Sequence, residues 1–192
     1  GIASINHPNY TWAFDHHELR QITGASLVEV FNGHPWTNNE GGPNRFSSEE
    51  IWDGILSAKK VIFGVATDDS HHYHDFHPKM SNPGRGWLMV QSSEFSSEAI
   101  VNAIATGAFY ASTGIALETM EISPELISLR IEQEQDFVYL TTFIGNDGAI
   151  LAEAIGLEPS YKPRGDEGYV RATIRSSSYG QQAWIQPVFL TD

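Results

Sequence analysis

The stretch "GVATDDSHHYHDF", Gly64 to Phe76, holds three acids and three histidines directly after the apolar run "VIFGVA". Within it, Asp69-Ser70-His71 places a carboxylate and an imidazole two residues apart. In extended backbone alternate side chains share one side, so one oxygen of Asp69 and one nitrogen of His71 can meet a single cation. His7, in "NHPNY", follows the apolar run "IASI" and offers a second imidazole. A mixed nitrogen and oxygen set of His7, Asp69 and His71 suits zinc, manganese or iron. Each signal has an ordinary counterpart. His-Pro is a common turn, Asp-x-His arises by chance, and a charged loop is often only a solvated surface. The case for chemistry is that both positions lie just past apolar runs, because in α/β folds ligands gather at the carboxyl ends of strands.

Other residues surround this core. Glu29, inside "LVEVFNG", is either a partner behind the ligands or a satisfied core acid. Asp68, His72 and His74 are neighbours that could support the ligands or hold a substrate. Arg85, in "NPGRGW", could steady an anionic substrate through paired hydrogen bonds, or could be a loop arginine; Lys79 has the same standing, and His77 lies close by. His16 and His17 fall in the first turn of a capped helix and read as surface residues, and His34, in "NGHPW", reads as a turn residue. No phosphate-cradling glycine loop precedes a helix and no Gly-x-Ser-x-Gly elbow occurs, which argues against P-loop and serine-hydrolase chemistry.

These residues need strands and helices to hold them. Up to about Thr119, the apolar runs "IASI", "LVEVF", "VIFGVA" and "WLMVQ" alternate with helical patterns, the habit of βα units around a mostly parallel sheet. Asp15 with Glu18, and Ser47 with Glu50, have capping-box spacing. Ile51, Trp52, Ile55 and Leu56 fall on one helical face, as do Ile100, Val101 and Ile104 ahead of Gly107. Beyond Pro124 the period changes to two: Ile127, Leu129 and Ile131 alternate with polar residues. "FVYLTTF", "YVRATIR" and "AWIQPVFL" read as further strands, with Pro187 demanding an edge or a bulge. The expected organisation is therefore an α/β unit over residues 1–119 and a small antiparallel β appendage over residues 120–192.

Composition bounds the chemistry. The 192 residues carry 24 acids against 11 bases, a net charge of −13, which repels phosphate backbones and argues against long nucleic-acid partners. The absence of cysteine leaves His, Asp and Glu as the metal ligands. No run approaches the roughly 18 apolar residues of a membrane span. The expectation is a soluble protein, cytoplasmic or periplasmic/secreted, with the compartment unknown. The start at "GIASINHP", without methionine, suggests a chain that begins within a fold.

In "NHPNY", "LVEVFNG", "GVATDDSHHY" and "AIATGAFYASTG", the sequence resembles the polymerase and histidinol phosphatase (PHP) superfamily of metal-dependent phosphoesterases. "GYVRATIRSSSYGQQAWIQPVFL" resembles the β tail that many such proteins carry. The resemblance implies the C-terminal part of a distorted (β/α) barrel, a TIM-like barrel in outline, with divalent ions at its strand ends that activate water against a phosphomonoester or phosphodiester. His7 would match a late histidine ligand, and Asp69 and His71 the terminal Asp-x-His motif and catalytic pair. The family's first His-x-His has no counterpart ahead of His7, and His72-Tyr73-His74 has the spacing at the wrong place in the order. The expectation is a fragment, with the remaining ligands on a missing N-terminal segment or another chain, and a small phosphorylated substrate as partner. Two alternatives are an amidohydrolase-like metal hydrolase and a noncatalytic binding module whose appendage holds a protein partner or glycan through exposed aromatics, Trp184 and Tyr169 being the residues that decide.

Overall fold

The computed structural model describes residues 1–178 and 180–190. In chain order the elements are β1 (Ser4–Ile5), α1 (His16–Leu19), β2 (Leu27–Asn32), α2 (Ser48–Ser57), β3 (Phe63–Thr67), β4 (Trp87–Val90), α3 (Ser97–Thr106), β5 (Phe109–Ser112), β6 (Leu117–Ile122), β7 (Ile127–Ile131), β8 (Tyr139–Ile144), β9 (Ile150–Ile155), β10 (Ser160–Tyr161), β11 (Tyr169–Ser176) and β12 (Gln182–Phe189). Both capping boxes form, at Asp15/Glu18 and Ser47/Glu50. α2 buries Ile51, Trp52, Ile55 and Leu56 completely or nearly so, at about 1.5–3 kcal/mol for each side chain. α3 departs from expectation, since Ala103 is its buried residue and Val101 is 52% exposed.

Among the described residues the strands form three open sheets and no barrel closes, which overturns the expected (β/α) architecture. Three strands, β1-β2-β3, run parallel as the βα reading requires. The fourth apolar run, "WLMV", does not join them. It forms β4, pairs antiparallel with β5, and begins a six-stranded antiparallel sheet ordered β4-β5-β12-β11-β8-β9. The reason lies at the end of α3. Gly107 takes φ 79° and the Ala108 amide bonds back to Ala103, a left-handed cap that turns the chain straight back alongside β4. A third sheet, β10-β7-β6, shows the expected alternation in β7, with Ile127, Leu129 and Ile131 buried.

The expected boundary at residues 119/120 lies within β6, while β5 on one side of it hydrogen-bonds to β12 on the other. Pro187 sits where the pairing slips, between Val170↔Val188 and Ala172↔Ile185, so its missing N–H falls in a bulge. Two devices join the parallel sheet to the six-stranded one. The buried Gln186 side chain on β12 donates to the Gly64 carbonyl at 2.8 Å and accepts the Gly64 amide at 2.9 Å, as a neighbouring strand would. Gly64 also lets Trp52 pack closely against β3, because an added Cβ would fall 2.9 Å from that indole.

The second device is a buried charge network. Arg171 on β11 makes a two-pronged bond to Asp53 on α2, with Nε–Oδ1 at 2.6 Å and Nη2–Oδ2 at 2.7 Å. Tyr169 donates its hydroxyl to Asp53 at 2.7 Å, and Glu49 accepts from Arg171, Thr173 and Arg175. The guanidinium lies 4.8 Å over the Trp52 ring. Burial opposes the Arg171 charge, yet Asp53 beside it holds its pKa above the ordinary value. Burial and the Asp53 charge both raise the Tyr169 phenol. Tyr169 and Trp184 are 1% and 2% exposed, so the two aromatics set apart for a binding module are core residues. Among the described residues no helix is long and apolar enough to cross a membrane.

Candidate functional site

The carboxyl ends of β1, β2 and β3 meet at Glu29. This acid, 3% exposed, accepts the His7 amide, the Asn32 side-chain amide at 2.9 Å and the Thr67 hydroxyl at 2.7 Å. It therefore ties together one residue at or just past the end of each neighbouring parallel strand and one from its own. Of the two readings open in the sequence, the satisfied interior acid describes its bonding, and its position is directly behind the candidate ligands.

Asn32 carries the link outward. Its amide nitrogen reaches Asp69 Oδ2 at 3.3 Å, while Asp69 Oδ1 lies 3.2 Å from His71 Nε2. The aspartate and histidine thus point the same way past β3, with side-chain exposures of 30% and 62%. Asp69 takes φ 47° and His7 φ 31°, left-handed values uncommon outside glycine. Two ligands about 2.0–2.1 Å from one tetrahedral ion stand roughly 3.3 Å apart, so the Asp69–His71 spacing fits a shared cation. Among the described residues no third acid or histidine converges with them in a metal-binding group. The His7 ring packs edge-on to Tyr10, Tyr10 to His34, and His34 to His71, with centroids 5.6, 6.1 and 5.8 Å apart. His7 and His71 therefore belong to one row of rings, while the predicted triad is present as a pair plus a separate imidazole.

The remaining predicted residues build the loop that carries this pair. Asp68 accepts the Arg85 and Gly86 amides at 2.6 and 3.0 Å. Arg85 donates Nη1 to the Gly33 carbonyl and Nη2 to His77 O and Asn82 Oδ1, so both terminal nitrogens brace backbone turns. Gly33 permits that contact, since a Cβ there would lie 2.8 Å from Arg85 Cβ. The His72 ring meets the Ser81 hydroxyl at 3.3 Å, and His74 stands exposed.

His34 is the residue that sequence reasoning set aside. Its ring nitrogen Nδ1 accepts the Trp36 amide at 3.3 Å, which leaves Nε2 to carry the proton of the neutral ring. A 410 Å³ cavity opens beside it, bounded by Phe31, Thr37, Arg85, Thr113 and Gln181. The signal was "NGHPW" itself, a histidine just past a strand end, as for His7.

No protein-family model and no curated protein matches the chain. Among solved structures, the chain is similar to a two-domain protein containing a predicted PHP-like metal-dependent phosphoesterase from Bacteroides vulgatus ATCC 8482. The identity is 13% over 95% of this chain, with a TM-score of 0.39. The chain spans 61% of the length of that protein.

Proposed function

We propose that the chain supplies Asp69 and His71 to a divalent-metal centre that hydrolyses a phosphomonoester or phosphodiester. The observation that supports this reading is the carboxylate–imidazole pair, 3.2 Å apart and open to solvent at the end of a parallel strand. Donor types and spacing fit manganese, zinc or iron. When bound, such an ion would polarise a phosphoryl oxygen and lower the pKa of a bound water. Catalytic centres ordinarily use three protein ligands, so in this reading further ligands come from another segment or chain.

The chain's own residues perform positioning. Glu29 and Asn32 orient Asp69 through hydrogen bonds, and Asp68 with Arg85 fixes the loop that follows it. The His34 ring packs edge-on to His71 and helps to hold it.

Manganese binding, followed by electron paramagnetic resonance, and hydrolysis of bis-p-nitrophenyl phosphate test this reading together. Asp69→Ala and His71→Ala should each weaken manganese binding about tenfold or more, since even groups one step behind a ligand cost 10–100-fold. Binding and turnover unchanged in both variants would overturn it.

A further inference from the structure

Gly54 sits in the interior of α2, where glycine is less favourable than alanine. The ring of His16 takes the space its missing side chain leaves: a Cβ there would fall 2.4 Å from His16 Cγ and 2.6 Å from Cδ2. Phe46 meets the same ring edge-on, with centroids 4.7 Å apart. His16 has the sequence setting of a surface residue, yet it joins α1 to α2. Beside this joint is a cavity of 360 Å³, bounded by Trp12, Phe14 and His17 from the α1 segment and by Phe46 and Ile51 from the α2 segment.

The joint makes no provision for charge. His16 Nδ1 is buried, and among the described residues it has no hydrogen-bond partner. A neutral imidazole meets this by leaving Nδ1 unprotonated, whereas an imidazolium must place an N–H there with no acceptor. The His17 ring lies 4.1 Å away, centroid to centroid, so two charged rings would repel. Burial, then His17, then Arg20 oppose the charge and Asp15 favours it, with the balance holding the His16 pKa below its ordinary value. The other charged groups nearby are engaged elsewhere. Glu18 accepts the Asp15 amide, Glu50 accepts the Ser47 amide, and Asp53 is taken up by Arg171. Lys60 donates to the Leu19 and Ile22 carbonyls, and Arg45 lies over the Trp12 ring.

We propose that His16 is an acid-sensitive latch between α1 and α2: its neutral ring closes on Gly54 and Phe46, and its protonation beside His17 releases α1 while the sheets stay folded. Neither histidine belongs to the metal centre proposed above, and the latch works without metal. A released His16 takes up its proton at the ordinary pKa of 6.5 and a latched one does so lower. The closed state is therefore fully favoured above pH 6.5 and loses ground as pH falls below it.

The test is amide hydrogen exchange of the whole chain at about one pH unit above and one below that value, each rate divided by that of unstructured peptide at the same pH. The Leu19 and Arg20 amides, bonded to Asp15 O and His16 O, should lose about three- to tenfold of their protection at the lower pH, with β8 and β11 unchanged. NMR titration should place the His16 ring below its ordinary pKa. His16→Leu should keep α1 protected at both pH values, His17→Gln should shrink the response, and Gly54→Ala should lower α1 protection at both. Equal protection at the two pH values in the unaltered chain, a His16 titration at or above the ordinary pKa, or a fall that persists in His16→Leu would overturn the latch. So would a matching fall in β8 and β11, which marks global acid unfolding.

Discussion

Two clusters of charge, one between α2 and β11 and one past the end of β3, are built on different terms. At Arg171, every charged partner is matched: Asp53 gives both oxygens to one guanidinium, and Glu49 closes the far side with Thr173 and Arg175. At Asp69, the carboxylate has one amide and one imidazole, and a side open to water. Burial without partners costs several kcal/mol per ion, so an interior cluster survives only when it is saturated. An open cluster has no such requirement and keeps valence for a ligand. The first holds α2 against β11, and the second is the place to look for chemistry.

The buried cluster depends most on Asp53. Asp53→Ala takes the two-pronged partner from a guanidinium that is 1% exposed and leaves Glu49 as its carboxylate, and should cost about 3–5 kcal/mol of stability in urea denaturation. The double change Asp53→Leu with Arg171→Met should recover much of that loss. A cost below about 1 kcal/mol for Asp53→Ala would remove the distinction between the clusters.

Gly64→Ala probes the same junction without touching charge. The new methyl would sit 2.9 Å from Trp52 and from Val30, and overpacking of this kind should cost about 1–3 kcal/mol by the same measurement.

Acid sharpens the contrast. Burial raises the Glu49 pKa, but Arg171 and Arg175 pull it down further, below its ordinary 4.5. The unfolded chain therefore takes up a proton first as pH falls. The stabilisation from Glu49 is full above its ordinary pKa and is lost as pH drops through the lower native value. The urea midpoint should fall steeply in that window, and Glu49→Gln should lower the midpoint at pH 7 and flatten the fall. The smallest effect belongs to the open cluster. Under the proposed function manganese should raise the melting temperature, and Asp69→Ala should abolish that rise while changing stability by less than about 1 kcal/mol.

The sequence made visible what depends on near neighbours. Capping-box spacing located α1 and α2, the face of α2 was readable from Ile51, Trp52, Ile55 and Leu56, and Asp-x-His after an apolar run located the pair at the end of β3. Strand direction was not readable, because "WLMV" satisfies a parallel or an antiparallel neighbour equally, and Gly107 decides only through the turn it makes. Partner choice across long separations was equally hidden. Arg171, in "YVRATIR", has the alternation of a half-exposed strand, but α2 covers its other face and supplies Asp53 from 118 residues away. Arg85 and His34 were ambiguous for the same reason, since their roles depend on the distant loops that meet them.

The order of the six-stranded sheet also governs when the molecule can become itself. β4 and β5 are synthesised long before β12, the strand that joins them to β11, β8 and β9. Until residues 182–189 emerge, β5 has an unpaired edge formed of fully buried-type residues, Phe109 to Ser112. Pairing across such separations is slow and leaves edges available to other chains. Completion of the six-stranded sheet therefore waits on one late strand, β12, which closes the β5 edge.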